Sequence, residues 1–580
     1  MKYIWSYIKP FKKELVFIFL GMLMFSVVNL GLPTMLAMII DNALIPGDLS
    51  NLYFFLAIML FISCLGIAGQ IFGSYFISKL STMMTMNLRN DLFKKMLKLS
   101  HHEFQDYGVP SLTNRMTSDA FILMQFTQMT LRTLATAPVM IIISIYMITR
   151  TSPELGLYVF PVAPMIVAMI IIIAWLTLPI SRAQQKTLDN INRILRENIT
   201  GTRVVRAFNR EQFFEERFEE VNHTYRQYSS LLFKTMAITP SLFSLIMNIT
   251  IILIVWFGAG FAARGSVQVG TLVAFIEYVW LALFSLTIFA NIFMMYPRAV
   301  VSAGRLDEVM HTPITVPPSE NPIMETDGSG RLEFNHVDFA YPDADEPVLR
   351  DISFSSKAGE TIAFIGSTGS GKSTIVKLIP RFYDVSSGEI KLDGIDIRDL
   401  DLQVLRSKIG YTPQKANLFS GQIATNLRYG KFDADEEDMD HATSIAQASE
   451  FINRLATRYH TELTEGGTNL SGGQRQRLSI ARSIIGDREI YIFDDSFSAL
   501  DYKTDAAVRQ ALKEETKDAT TIIIAQRVGT IINADQIIVL DHGQIAAKGT
   551  HRELLKSSPL YYEIASSQLT KEELEYARRN

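Results

Sequence analysis

Cysteine is all but missing from this sequence. The single thiol, Cys64, lies inside an apolar run, which excludes an internal disulfide and a cysteine-based metal cluster and favours a packing role over a reactive one. A basic excess is missing too: 55 Lys and Arg face 59 Asp and Glu, a formal net charge of -4, so no nucleic-acid partner is expected. Charge of either sign is scarce, 20% against 48% hydrophobic residues, which is too apolar for a wholly soluble protein and too polar for one lying wholly in a bilayer. No small-residue cleavage site follows the first apolar run, which Lys2, Lys12 and Lys13 precede, so that run is expected to stay in the mature protein.

What is present divides near residue 305. Before it, apolar stretches recur at roughly 15–41, 52–79, 129–150, 156–180, 240–263 and 269–297, each near or above the ~20 residues a helix needs to cross ~30 Å of hydrocarbon. Six spans return the C-terminal half to the side of the N-terminus. Basic residues set the orientation. Arg89, Lys94, Lys95, Lys98 and Arg115 lie in 80–128, and Arg182, Lys186, Arg193, Arg196, Arg203, Arg206, Arg210 and Arg217 in 181–239, whereas "DNALIPGDLSN" at 41–51 has no basic residue. The positive-inside tendency puts the long segments, the N-terminus and everything after Arg298 in the cytoplasm. Pro110 is the only proline in either long segment, so the spanning helices are expected to continue past the membrane. Within them, "FQDYGVPSLTNRMTSD" (104–119) and "GTRVVRAFNREQFFEERF" (201–218) read as turns that touch another domain or as solvated bends.

Residues 305–330, "RLDEVMHTPITVPPSENPIMETDGSG", concentrate proline, serine and glycine and read as a linker between a membrane domain, 1–304, and a domain at 331–580. In the latter, short β-branched runs such as "TIAFIG", "EIYIF" and "TTIIIA" alternate with helical stretches, the pattern of an α/β domain with a largely parallel sheet. The strand "TIAFI" runs into "GSTGSGKS", which matches G-x-x-x-x-G-K-[ST] and opens a helical "TIVKLI". In such a P-loop the segment Gly366, Ser367, Thr368, Gly369, Ser370, Gly371 and on to Thr374 cradles phosphate oxygens with backbone N–H groups. Lys372 would reach the β- and γ-phosphates of ATP, and Ser373 would ligate Mg²⁺. The flanking strand and helix disfavour a chance Gly-Lys-Ser turn. Asp494 ends the buried strand of "IYIFDDSFSALD" where it suits the same Mg²⁺. Between them, "LSGGQRQRLSIARSII" alone could be no more than a cap on a solvated helix.

Together these motifs resemble the ATP-binding cassette family, of the exporter type in which a six-helix membrane domain precedes one nucleotide-binding domain. "LSGGQ" (Leu470 to Gln474) resembles the family signature, "YTPQ" ending at Gln414 its Q-loop, and "SALD" ending at Asp501 its D-loop. Tyr341 in "FAYPDADEPVLRDIS" sits where the family stacks an aromatic on adenine. The resemblance covers nearly the whole chain. It implies a fold of six transmembrane helices with long cytoplasmic extensions plus an α/β P-loop domain, with Mg²⁺ held by Ser373, Gln414 and Asp494. It also implies that the two cytoplasmic breaks are coupling regions docking on nucleotide-binding domains. Because the family sandwiches ATP between the Walker residues of one domain and the signature of another, it implies a dimer. Ser471, Gly473 and Asp501 would then serve the partner's site.

Two departures from the family pattern stand out. Where the family places a glutamate after the Walker B aspartate, this chain has Asp495, and where it has a switch histidine, "IIIAQRVGTI" has Gln526. A carboxylate one methylene shorter on the same backbone falls short of the attacking water, and misplacing a base costs about 10²-fold. Glutamine hydrogen-bonds but carries no proton or positive charge. Beside an intact Walker A and signature, this describes a degenerate site that binds Mg-ATP and hydrolyses it slowly. It resembles one half of the heterodimeric bacterial multidrug exporters, whose partner would carry the consensus Glu and His.

Cargo is less legible. Glu277, in "TLVAFIEYVWLALF", is an ionisable group inside a span and should face protein or a water-filled cavity, either meeting a cationic substrate or serving structure or gating. Phe289, Phe293, Met294 and Met295 would line an adaptable cavity or pack against lipid. The expected activity is ATP-driven export of amphipathic compounds across the cell membrane. A lipid or peptide exporter and an ATP-gated channel or regulator are the alternatives.

Overall fold

Each apolar stretch lies within a longer helix, most of them toward one end of it. The computed structural model describes residues 2–570 together with 572 and 574. Residues 1, 571, 573 and 575–580, at the ends of the two expected domains, lie outside the described residues, as do the side chains of Phe293 and Met294. Among the described residues six helices are long and apolar enough to cross a membrane: Lys12–Leu44, Leu49–Lys98, Val109–Thr151, Pro153–Ala207, Glu211–Ala263 and the one that opens at Val269. The 50 residues of Leu49–Lys98 reach about 75 Å at ~1.5 Å per residue, well past the ~30 Å of hydrocarbon.

The chain divides into two units, residues 1–97 with 109–312 and residues 98–108 with 313–580. The first unit is helical. A Cβ on Gly21 would lie 2.7 Å from the Gly73 nitrogen and 2.8 Å from the Gly69 oxygen, so the first two long helices meet backbone to backbone where no side chain fits. Asp41 accepts hydrogen bonds from the amides of Gly270 (2.6 Å) and Thr271 (3.0 Å) and so caps the helix Val269–His311, whose Tyr278 hydroxyl meets Thr34 at 2.7 Å.

The breaks in the cytoplasmic segments are sharper than the sequence suggests. The first is a helix, His101–Tyr107, closed by Gly108 at φ 70° and followed by Val109–Asn114 with Pro110 in its first turn. Gly201 lies inside a helix that runs to Ala207, and the second break is the short turn Phe208–Arg210, with Asn209 at φ 53°. The expected linker also starts late. Charged residues and Val309 continue the helical pattern from Arg305 to His311 before Pro313 stops it.

In the second unit the strands Leu349–Ser355, Leu332–Phe339, Ser387–Leu392 and Ile395–Asp396 form an antiparallel sheet. A six-stranded sheet runs in the order Gln544–Gly549, Gln536–Asp541, Thr361–Gly366, Thr520–Ile524, Ile490–Asp494 and Ile409–Thr412, parallel except for its first pair. Strand Ile490–Asp494 is buried throughout, which explains its continuous apolar run. Ile524 pairs with both Phe364 and Asp494, and Thr412 with Phe493. This register delivers the P-loop, Gln414, Asp495 and Gln526 to one carboxyl edge of the sheet, where open α/β sheets bind ligands. The P-loop helix packs into a core with Phe334, Ile362 and Ile492, while the helix Gly472–Ile484 packs into another with Leu427, Phe451 and Phe493.

Candidate functional site

The P-loop depends on glycine where its backbone turns. Gly371 has φ 97°, and a Cβ there would press within 2.6 Å of Leu349, so only glycine can start the helix Lys372–Leu378 in this way. Ser367, Thr368 and Gly369 are exposed at the loop tip, whereas Ser370, Gly371 and Thr374 are buried beneath it. Lys372 folds over the loop, its Nζ donating to the carbonyl oxygens of Gly366 (2.8 Å) and Ser367 (2.7 Å), with Ser370 Oγ at 3.5 Å. Burial pushes its ammonium below the usual lysine range, while Asp495 and Asp494 pull the other way. A phosphate in the cradle would replace those two carbonyls with a full negative charge.

Asp494 and Ser373 meet directly, the hydroxyl donating to Oδ1 at 2.9 Å. Burial raises the Asp494 carboxyl above the usual range against that hydrogen bond. One carboxylate and one hydroxyl are hard oxygen donors that suit Mg²⁺, which keeps waters and substrate phosphates as its other ligands. Among the described residues no cluster of three His, Cys, Asp or Glu side chains would hold an ion unaided, so this pair fits a cation arriving with its nucleotide.

The two departures from the family pattern touch each other. Asp495 is buried and holds φ 48°, a left-handed conformation that aspartate tolerates better than most residues. Its Oδ2 accepts from Gln526 Nε2 at 2.7 Å and from Gln414 Nε2 at 3.2 Å. One carboxylate oxygen thus ties together the loops that follow three neighbouring strands. Gln526 is braced from behind, its carbonyl accepting from Gln568 Nε2 at 2.9 Å while Gln568 Oε1 accepts from the Val528 amide at 2.8 Å. The Gln414 amide is therefore directed to Asp495, with no hydrogen bond to Ser373 or Asp494 among the described residues.

Tyr341 is half-buried beside this cluster, its hydroxyl 3.1 Å from Thr374 Oγ1 and its ring edge-on to Tyr383 at 5.2 Å. Burial first, then Tyr341 and Glu103, push the Tyr383 hydroxyl up to about 12. Ser471 caps Gly472–Ile484 in a reciprocal pair with Gln474, and Asp501 caps Tyr502–Glu515 by accepting from Thr504 N at 3.0 Å. No hydrogen bond joins Ser471, Gly473 or Asp501 to the P-loop cluster among the described residues. Sequence reasoning missed Gln568, which carries no local signal, and Tyr411, which stood inside the quoted "YTPQ". Burial and the Asp494 charge raise the Tyr411 hydroxyl well above its ordinary range. Glu277 is exposed on its helix, with no hydrogen bond or ion pair among the described residues. Trp280 and Phe284, one and two turns on, stack at 4.7 Å.

Comparison with known proteins follows the same lines. Residues 15–286 match the family described as the ABC transporter transmembrane region, and residues 349–498 match the ABC transporter family. An ABC transporter ATP-binding protein of Mycobacterium tuberculosis is 37% identical over 567 residues, 97% of each chain. The ABC transporter ATP-binding protein YfiB of Bacillus subtilis is 35% identical over 98% of each chain. The ATP-dependent lipid A-core flippase of Haemophilus influenzae is 30% identical over 98% of this chain and 97% of its own. The solved structure of a bacterial Atm1-family ABC exporter with ATP bound shares the fold at a TM-score of 0.81 and 24% identity, covering 97% of this chain and 99% of that one.

The shared acceptor makes a testable statement about stability. Asp495→Asn and Gln526→Ala each disturb a hydrogen bond to a buried carboxylate, worth about 1.5–3 kcal/mol. Because both act on one contact, thermal melting of the double variant should show a loss at least ~1 kcal/mol smaller than the sum of the single losses. Strict additivity would mean that the pair does not interact in solution.

Proposed function

We propose the following reading for this chain, which belongs to the ABC transporter family: it is one half of a heterodimeric exporter, binds ATP at a slow site and lends its signature to a faster one. The family makes it an ATP-hydrolysing transporter of the exporter arrangement, with a multi-pass membrane domain and a cytoplasmic nucleotide-binding domain. The observation that carries the finer reading is the Asp495 carboxylate, held by two glutamine amides where a general base would have to face water. A carboxylate oxygen that already accepts from two amide donors, on a side chain one methylene short, is a poor base. Losing a factor of 10²–10⁴ raises the barrier by roughly 3–5 kcal/mol. Nucleotide binding rests on other groups: Lys372 and the loop for phosphates, Tyr341 for adenine, Ser373 and Asp494 for the cation. Mg²⁺, when bound, neutralises phosphate charge. The capping geometry of Ser471 and Asp501 supports a signature and D-loop that present themselves to a second nucleotide-binding domain.

For cargo, we read Glu277 with the Trp280–Phe284 stack as a face for amphipathic cations, since a carboxylate and aromatic faces both attract them. The relative named as a lipid A-core flippase favours lipid as the second cargo class.

Steady-state ATPase at saturating Mg-ATP tests the nucleotide reading. In the heterodimer, Asp495→Asn should lower turnover less than about threefold, whereas replacing the partner's predicted glutamate or introducing Ser471→Arg should lower it by about 10² or more. Equal damage from Asp495→Asn would overturn the slow-site assignment, as would full ATPase of this chain without a partner. For the cargo face, Glu277→Gln should cut ATP-driven efflux of a cationic dye such as ethidium about tenfold and leave that of a neutral amphiphile within twofold. Equal loss for both would assign Glu277 a structural role.

A further inference from the structure

The segment between the last long helix and the nucleotide-binding fold has the composition of a loose linker, yet its backbone is gripped by charged side chains. Lys95 Nζ donates to the Thr312 carbonyl at 2.7 Å. Glu103 Oε1 accepts from the Thr315 amide at 3.0 Å, and Ser100 Oγ meets Thr315 Oγ1 at 2.8 Å. Arg381, buried and paired with Asp384 at 2.6 Å, donates to the Pro317 carbonyl at 3.1 Å.

Glu103 is the centre of this arrangement. It is only 5% exposed, and its other oxygen takes the Ser100 amide at 2.6 Å and the Ser100 hydroxyl, capping the helix His101–Tyr107. Desolvation alone would raise its carboxyl, but the hydrogen bonds from Ser100 and Thr315 outweigh it and hold the group ionised. The same helix leans on the nucleotide fold through His101, stacked on Phe382 at 6.0 Å and edge-on to Tyr383 at 5.7 Å, and Tyr383 touches Tyr341. The chain passes between its two units at 97/98, 108/109 and 312/313. Glu103 therefore joins the helix that lies between the first two crossings to the segment just beyond the third.

We propose that Glu103 is a positioning residue that clamps the strap Pro313–Pro317 to the helix His101–Tyr107, so that a nucleotide-dependent movement reaches the ends of Leu49–Lys98 and Val269–His311 together. The clamp uses the strap's backbone amide, so it tolerates sequence change in the strap but not loss of the N–H. It adds to the export reading a route by which one chain keeps two helix ends in step, and it holds whatever the cargo is.

Hydrogen exchange of the full chain in lipid nanodiscs, with and without Mg-ATP, tests it. In the unaltered chain both helix ends, residues 86–97 and 299–312, should change exchange rate on ATP binding. Glu103→Gln breaks the clamp from the helix side. Thr315→Pro removes the strap amide together with the Thr315 hydroxyl and suits a strap already rich in proline, which keeps the test open if the first variant folds poorly; Thr315→Val, which removes the hydroxyl alone and should respond normally, is its control. In each of Glu103→Gln and Thr315→Pro, the response at 299–312 should fall at least about fivefold, that at 86–97 should persist, and the affinity for a fluorescent ATP analogue should stay within about twofold. The double variant should be no worse than either single one. The clamp is wrong if 299–312 responds normally in Thr315→Pro, if both ends lose their response together, if the double variant multiplies the losses, or if the unaltered chain shows no response there.

Discussion

One oxygen atom, Asp495 Oδ2, holds the nucleotide edge of this protein in its present form. Two amide donors from loops that follow different strands converge on it. A parallel sheet can only bring loop ends near each other, and something must then fix them at hydrogen-bond distance. Here a short acid between two glutamines does so, with the acid in a left-handed conformation and one glutamine braced by Gln568. A longer acid would have to fold back to keep the same contacts, and an imidazole would offer a different donor geometry. The two replacements are therefore better understood as one substituted pair than as two independent losses. Two donors on one buried oxygen hold these loop ends at fixed distances.

The binding half of the site is built on different elements. Lys372, Ser373 and Thr374 belong to a helix packed against the Phe334–Ile492 core, and Thr374 meets Tyr341, which meets Tyr383 and, through it, His101. Nucleotide contact and the cytoplasmic helix His101–Tyr107 thus share an aromatic path independent of Asp495. Under the slow-site proposal, this separation would let hydrolysis weaken without loss of the response to ATP. The strap Pro313–Pro317 is held by the same helix through Glu103 and by the same fold through Arg381.

Legibility in the sequence followed the range of the physics. Six spans were readable because a ~20-residue apolar run has few other uses, and the P-loop because its glycines and Lys372 serve a local geometry. Asp495 and Gln526 were readable as departures, but that they touch was not, because the contact joins residues 31 apart through sheet register. Gly201 suggested a break that the helix runs through despite its β-branched neighbours, with Val205 buried just beyond it, and the chain turns instead at Asn209. Composition starts the linker at Arg305, but the helix persists to His311 because Leu306 and Val309 keep its buried face. Glu103 carried only a local signal, the capping-box spacing of Ser100 and Glu103, and none of its link to the strap. It precedes the quoted cytoplasmic break by one residue, and its partner amide at Thr315 is 212 residues away.

The central claim is that the Walker site of this chain keeps ATP intact through a turnover. It is tested most directly by assembling the chain with the second half-transporter that the proposal requires, passing the assembly through turnovers on radiolabelled Mg-ATP, and trapping it with vanadate. The nucleotide retained at each site is then identified, with the two sites told apart by photocrosslinking to this chain's Tyr341. The account predicts ATP on the site that contains Tyr341 and ADP on the other. ADP on both sites in equal amount would contradict it.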